Sequence, residues 1–215
     1  MTNISYMWNF KVDEKKQLPI EAINNNLKYI KTFNVITPTL IEPLLKKSFE
    51  IFPKIKVLYD KLDNPKYWII KADLCRLLLI YFNSGIYSDI DCFMKKNFNM
   101  NDEVSLFTEF VLKNTKHLGQ RECKNKKNVL RIANYFFAFN IKEHQFLKEV
   151  IEECLKRLEI LFIIEGCTNI SEQDILWVCG PDVITSIYHL EGHKYNIHLY
   201  NTTYLEHKNY GSWRN

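Results

Sequence analysis

Nowhere in this chain does an apolar run approach the roughly 20 residues that a membrane-spanning helix needs, so no transmembrane segment is expected. The opening stretch from Met1 to Trp8 has neither the basic start nor the apolar core of an export signal, and the expectation is a soluble protein of the cytoplasm. Glycine and proline are scarce, six of each in 215 residues, which excludes collagen-like and linker-dominated chains. A large charge of one sign is also missing: 29 Lys and Arg face 25 Asp and Glu, a net +4. A dedicated nucleic-acid binder would carry a larger, clustered excess, so no nucleic-acid partner is expected. No two of the cysteines Cys75, Cys92, Cys123, Cys154, Cys167 and Cys179 form a C-x-x-C pair, which argues against zinc-knuckle and thioredoxin-like sites. They are expected to be reduced thiols. The N-x-[ST] sequons at Asn3, Asn169 and Asn201 then read as chance matches.

What is present is a chain rich enough in apolar residues to bury a core. Hydrophobic residues make up 47% and aromatics 14%, and the length fits one sizeable domain spanning 1–215, alone or as part of a longer polypeptide. The pattern alternates strands with helices and predicts an α/β layered fold. Strands are expected at Ile4–Phe10, Phe33–Ile36 and Ile55–Tyr59, with helices from Pro19 to Tyr29 and from Thr37 towards Phe52. This is the opening of a doubly wound sheet, where ligands collect at the carboxyl ends of strands. The most apolar helix follows at Tyr67–Phe82, closed by Asn83-Ser84-Gly85, and Ile86–Asp91 reads as a strand ending in carboxylates. Val104–Phe110, Asn134–Asn140 and Asn196–Tyr200 are further strands, Glu143–Ile163 is a long amphipathic helix, and Gly180-Pro181 precedes a short one. The basic stretch from Lys113 to Arg131 reads as a solvated surface loop or as a lid or acceptor-contacting loop over an anionic ligand, with nucleic-acid binding a weaker third reading because no aromatic residues interleave the charges.

Two features between Lys71 and Asp91 are physically odd. Asp73 and Arg76 sit three residues apart, on one face of an otherwise apolar helix. Buried charges are costly unless paired or lining a polar cavity, so the two form either a self-satisfied ion pair or part of a site. Asp89 and Asp91 flank Ile90 at the predicted strand end, where alternation turns both carboxylates the same way. Convergent carboxylates repel unless a cation neutralises them, and hard oxygen ligands suit Mg²⁺ or Mn²⁺.

Together the residues Ala72-Asp73, Arg76, Gly85, Tyr87, Asp89 and Asp91 spell A-D-x-x-R followed by G-x-Y-x-D-x-D. This pattern resembles the D-x-D glycosyltransferases of family 32 and their relatives among fungal mannosyltransferases, bacterial capsular sugar transferases and clostridial glucosylating toxins. Weaker collinear blocks extend the resemblance from residue 4 to residue 213. They are Ile4 to Trp8, Asn134 to Ala138, His144 to Leu147, Gly180-Pro181, and the ending from His207 to Ser212-Trp213. Where the family often has two glycines, this chain has Ser84-Gly85. The Lys-, Asn- and Ile-rich composition resembles that of viral or bacterial enzymes. Glycosyltransferases of large algal viruses are a comparable case, and on that reading the host cytoplasm is the location.

The resemblance implies a GT-A-like three-layer fold, a central mixed, mostly parallel sheet flanked by helices, and transfer of a hexose from a nucleotide sugar, usually with retention. It implies that Asp91 binds Mn²⁺ or Mg²⁺ directly, that Asp89 contacts the ribose and the metal, and that His207, or Ser212, completes the coordination. Asp73 and Arg76 would hold the donor sugar's hydroxyls, Trp8 would stack on the base, and Trp213 would approach the diphosphate or the sugar. Tyr87 and Asn134 would line the donor pocket. The donor would be a UDP-sugar and the acceptor a glycan or glycoprotein. Glu109 and Asp174 are candidate bases if the enzyme inverts. Two other readings of the D-x-D are a haloacid-dehalogenase-like phosphatase and a non-catalytic glycan- or nucleotide-binding module.

Overall fold

The computed structural model describes residues 3–7, 20–62, 64–112 and 129–209. The chain runs β1 (Asn3–Met7), α1 (Ile20–Asn26), β2 (Thr32–Ile36), α2 (Pro38–Ile51), α3 (Lys54–Lys61), α4 (Trp68–Asn83) and β3 (Gly85–Ser88). Then come β4 (Cys92–Met94), β5 (Val104–Leu112), β6 (Val129–Ile132) and β7 (Phe136–Phe139). The last part holds α5 (Gln145–Glu159), α6 (Glu172–Val178), α7 (Pro181–Glu191), β8 (Ile197–Tyr200) and β9 (Leu205–His207).

Seven strands form one sheet, ordered β2-β1-β3-β7-β5-β6, with β8 also pairing β5. β1 is parallel to β2 and β3, and β5 to β8, whereas β7 runs against β3 and β5, and β6 against β5. Five strands (β1, β2, β3, β5 and β8) therefore share one direction and two oppose it, which is the mixed, mostly parallel sheet expected. Strand alternation sends side chains into two cores. Tyr87, Leu106, Phe137 and Phe139 face the larger one, where α2 to α7 pack; Ile4, Tyr6, Ile86, Phe107 and Phe136 face the smaller, closed by α1 and β4. Helix α4 lies inside the larger core and is buried nearly all round, so its sequence shows no polar face.

One predicted strand is a helix. Residues 55–59 belong to α3, where Ile55, Leu58 and Leu62 are buried while Lys54, Lys56 and Val57 are exposed. That spacing of three and four is helical, and the β-branched Ile55 and Val57 disguised it. The third parallel strand is instead β3, after α4.

The turn from α4 into β3 stores strain. Gly85 has φ +101°, and a Cβ there would come within 3.0 Å of the Asn3 carbonyl oxygen, so glycine is required. Ser84 before it has φ 57° and ψ −174°, a region that is essentially glycine's alone and costs a side-chain residue about 1–3 kcal/mol. Replacing Ser84 with Gly relieves that strain but adds roughly 0.5–1 kcal/mol of unfolded-state entropy. The expected net gain for Ser84→Gly is about 1 kcal/mol, seen as a rise of roughly 2–4 °C in the thermal midpoint. A lower midpoint would contradict the strain.

Candidate active site

Helix α4 carries Asp73 and Arg76 inward, and Arg76 is the hub of the cluster. Its Nη2 meets Asp73 Oδ1 at 2.6 Å, while Nη1 reaches Asp89 Oδ1 at 3.1 Å and donates to the Asn134 carbonyl at 3.0 Å. The guanidinium lies over the Tyr87 ring, 4.9 Å from its centroid, and the Tyr87 hydroxyl donates to Asp89 Oδ1 at 2.6 Å. The helix thus grips the acidic turn through a buried cation. Asp73 and Arg76 pair with each other and also join a larger polar cluster. Burial pushes the Asp73 carboxyl up to about 7 against the pull of Arg76, and Asp89 adds to the rise. Burial alone would lower the Arg76 guanidinium, but Asp73 and Asp89 raise it, so it stays charged. Burial, reinforced by Asp89, lifts the Tyr87 hydroxyl well above the usual phenol range, so it remains a donor.

The two carboxylates converge for a reason other than strand alternation. β3 ends at Ser88, and Asp89 to Asp91 form a turn closed by the Cys92 amide donating to the Asp89 carbonyl at 3.1 Å. The Asp89 amide donates to the Tyr135 carbonyl at 2.7 Å, which fixes the start of the turn against the entry to β7. Beyond it, β4 pairs antiparallel with β9, Cys92 opposite His207. The register places His207 Nε2 3.1 Å from Asp91 Oδ1, although the two lie 116 residues apart. The Tyr135 ring stacks on the imidazole with centroids 4.0 Å apart. Burial would lower the His207 pKa, but its hydrogen bond to Asp91 and the charges of Asp91, Asp89 and Glu109 outweigh it and raise the pKa above 6.5.

One atom each of Asp89, Asp91 and His207 lies within 4.8 Å of the others. Two carboxylates and an imidazole that is neutral when metal-bound form a hard-to-borderline donor set, which fits Mn²⁺ or Mg²⁺. Tyr87 and Arg76, both bonded to Asp89, would hold such a ligand in orientation.

The structure also shows supports that sequence reading missed. Asn26, buried at the end of α1, donates to the Cys92 carbonyl at 2.9 Å and accepts from the Met94 amide at 2.7 Å. It serves the edge of β4 as a further strand would, and steadies the acidic turn. Arg131, expected from the sequence to lie in a basic loop, is buried in β6, 3.1 Å from both Glu109 and Asp182. Burial raises the Glu109 pKa, while Arg131 and His207 pull it down. Asp174 closes a capping box with Ser171 at the start of α6, a structural duty that accounts for it without catalysis. Asn134 is half-buried and offers Arg76 its carbonyl. Trp8, Ser212, Trp213 and the basic segment 113–128 lie outside the described residues. Cys75, Cys92, Cys154, Cys167 and Cys179 are free thiols, and no described helix is long and apolar enough to cross a membrane.

Comparison with known proteins bears on the fold and the family. Among solved structures, the PaToxG glycosyltransferase superposes with a TM-score of 0.53 at 18% identity, covering 88% of this chain and 69% of that one. The UDP-bound glycosyltransferase domain of the YGT toxin gives a TM-score of 0.49 at 11% identity, covering 80% of this chain and 53% of that one. No curated protein sequence matches the chain. The fold is thus shared with glycosyltransferase domains. Residues 14–122 match the model for the glycosyltransferase sugar-binding region containing the DXD motif, and the chain belongs to that family.

Proposed function

We propose that the protein is a metal-dependent hexosyltransferase that moves a sugar from a UDP-sugar to a hydroxyl of a glycan or glycoprotein, with retention of configuration. The observation that carries this reading is the Asp89, Asp91 and His207 cluster lying against the buried Asp73–Arg76 pair. Asp89, Asp91 and His207 would hold Mn²⁺ or Mg²⁺, which supplies a Lewis acid for the charge that develops on the departing diphosphate. Arg76, anchored by Asp73, Asp89 and the Asn134 carbonyl, is pre-organised and loses little freedom when a sugar arrives. Asp73 would accept from the sugar's hydroxyls and steady the positive ring of an oxocarbenium-like transition state. UDP rests on the family resemblance, as do the roles of Trp8, Trp213 and Ser212.

The test is thermal unfolding with UDP alone, Mn²⁺ alone and both together. A ligand that binds only the native state at about 100 times its Kd stabilises it by about 2.7 kcal/mol, or roughly 5–10 °C for a chain of this size. That shift is expected only when both are present. No shift and no calorimetric heat would overturn the reading. A shift with no donor turnover would favour the non-catalytic binding module.

A further inference from the structure

Between α1 and the β4–β9 ribbon lies a cavity of about 400 Å³, within the roughly 300–1,000 Å³ typical of small-molecule sites. One wall is a polar face of α1. Glu21, Asn24 and Asn25 share that face, and Lys28 extends it in the turn that follows. The ribbon forms the other wall. In β4, alternation buries Cys92 and Met94 in the smaller core and turns Phe93 towards the cavity. In β9, Glu206 and Lys208 line the cavity, while His207 between them reaches Asp91. The cavity therefore lies across the ribbon from the candidate metal ligand. The Asn25 amide donates to the Met94 carbonyl at 2.9 Å, and the Tyr29 hydroxyl donates to the Lys95 carbonyl at 3.1 Å. These bonds tie the two walls together, so the cavity keeps its shape without a ligand.

The groups along the two walls differ in what they are free to bind. On the ribbon, Glu206 pairs with both Lys208 and Lys95, whose hydrogen bonds hold its carboxyl down at about 2. On α1, among the described residues, the side chains of Glu21, Asn24 and Lys28 have no hydrogen-bond or ion-pair partner, and Asn25 Oδ1 accepts no bond. This open set carries one negative and one positive charge, and it offers both donors and acceptors. An ionised phosphate, which only accepts, would be repelled by Glu21 and by the Asn25 oxygen. A small cation would meet the ammonium groups of Lys28, Lys95 and Lys208. A hydroxyl both donates and accepts, so a neutral polyhydroxylated ligand can satisfy the whole set. Phe93, 7% exposed, gives the ribbon wall an apolar part, but the Lys208 ammonium lies 5.6 Å from its ring centroid. Polar contacts to α1, rather than stacking, therefore carry the recognition.

We propose that this cavity binds a neutral saccharide, a mono- or disaccharide unit, at a site separate from the proposed donor pocket. Binding there calls on none of Asp73, Arg76, Asp89, Asp91 or His207. It goes beyond the proposed transferase function and does not depend on a metal or on UDP.

The experiment is saturation-transfer NMR on the protein without metal or UDP, titrated with glucose, galactose, mannose, N-acetylglucosamine, maltose, lactose and diacetylchitobiose. At least one is expected to bind with a millimolar Kd, the strength open to so small a ligand in a polar site. Asn24→Ala and Lys28→Ala change exposed side chains, so the fold survives. Each is expected to weaken that binding about fivefold or more, as for a lost hydrogen bond. Asp73→Asn, which alters the proposed donor pocket, is expected to leave the Kd within about twofold of wild type. Absence of binding by every sugar at about 20 mM, well above the expected range, would overturn the proposal. So would a Kd unchanged in both α1 variants, or displacement of the sugar by an equal concentration of inorganic phosphate, which would mark an anion site. Loss of binding in Asp73→Asn would place the sugar in the donor pocket instead. None of these failures touches UDP binding with Mn²⁺, on which the transferase reading is judged.

Discussion

Asp91→Asn is expected to weaken Mn²⁺-dependent UDP binding by roughly a hundredfold or more. Losing a partner of a metal ligand already costs about 10–100-fold, so losing a charged ligand falls at or beyond that upper end. The substitution keeps the shape of the side chain, and the backbone bond from the Lys208 amide to the Asp91 carbonyl, 3.0 Å, does not depend on the carboxylate. The fold should therefore survive, and calorimetry with and without Mn²⁺ isolates the effect. Metal-dependent affinity that matches wild type would remove Asp91 from the ligand set.

Asp73→Asn should behave in the opposite way: UDP affinity within about threefold of wild type, and sugar transfer or donor hydrolysis lowered by roughly 10²–10³ in kcat, as for a lost transition-state contact. Stability is a fair concern, because orphaning a buried charge typically costs about 3–5 kcal/mol. Here Arg76 retains Asp89 and the Asn134 carbonyl, so it is not orphaned. The amide also removes a carboxyl whose charge burial already opposes, its pKa standing at about 7. The unfolding midpoint should therefore move little. Equal loss of UDP binding in Asp73→Asn and Asp91→Asn would contradict the division of labour between them.

Much of this was readable because it is local. Asp73, Arg76, Gly85, Tyr87, Asp89 and Asp91 fall within one helix–turn–strand unit, and charge inside an apolar helix is visible in one dimension. Residues that owe their place to distant pairing were not. His207 reaches Asp91 only through the β4–β9 register, and without the family resemblance it reads as an exposed tail histidine. Asn26, Tyr135 and Arg131 carry no local signal, since their partners Cys92, His207 and Asp182 are remote in sequence. The convergence of Asp89 and Asp91 was expected for the wrong reason, a continuing strand where the chain turns. The helix at 54–61 was hidden by β-branched residues whose burial, not their type, sets the period.

The small β4–β9 ribbon, three residue pairs separate from the main sheet, has a thermodynamic consequence. So short a ladder opens locally at little cost, well before the sheet does. An ion gripped by both Asp91 and His207 would staple the two strands, and part of its binding energy would go into keeping the far strand docked. Chelation would then loosen the stretch from Leu205 to Asn209 and leave the seven-stranded body whole, so that metal content and protease resistance of that segment rise and fall together.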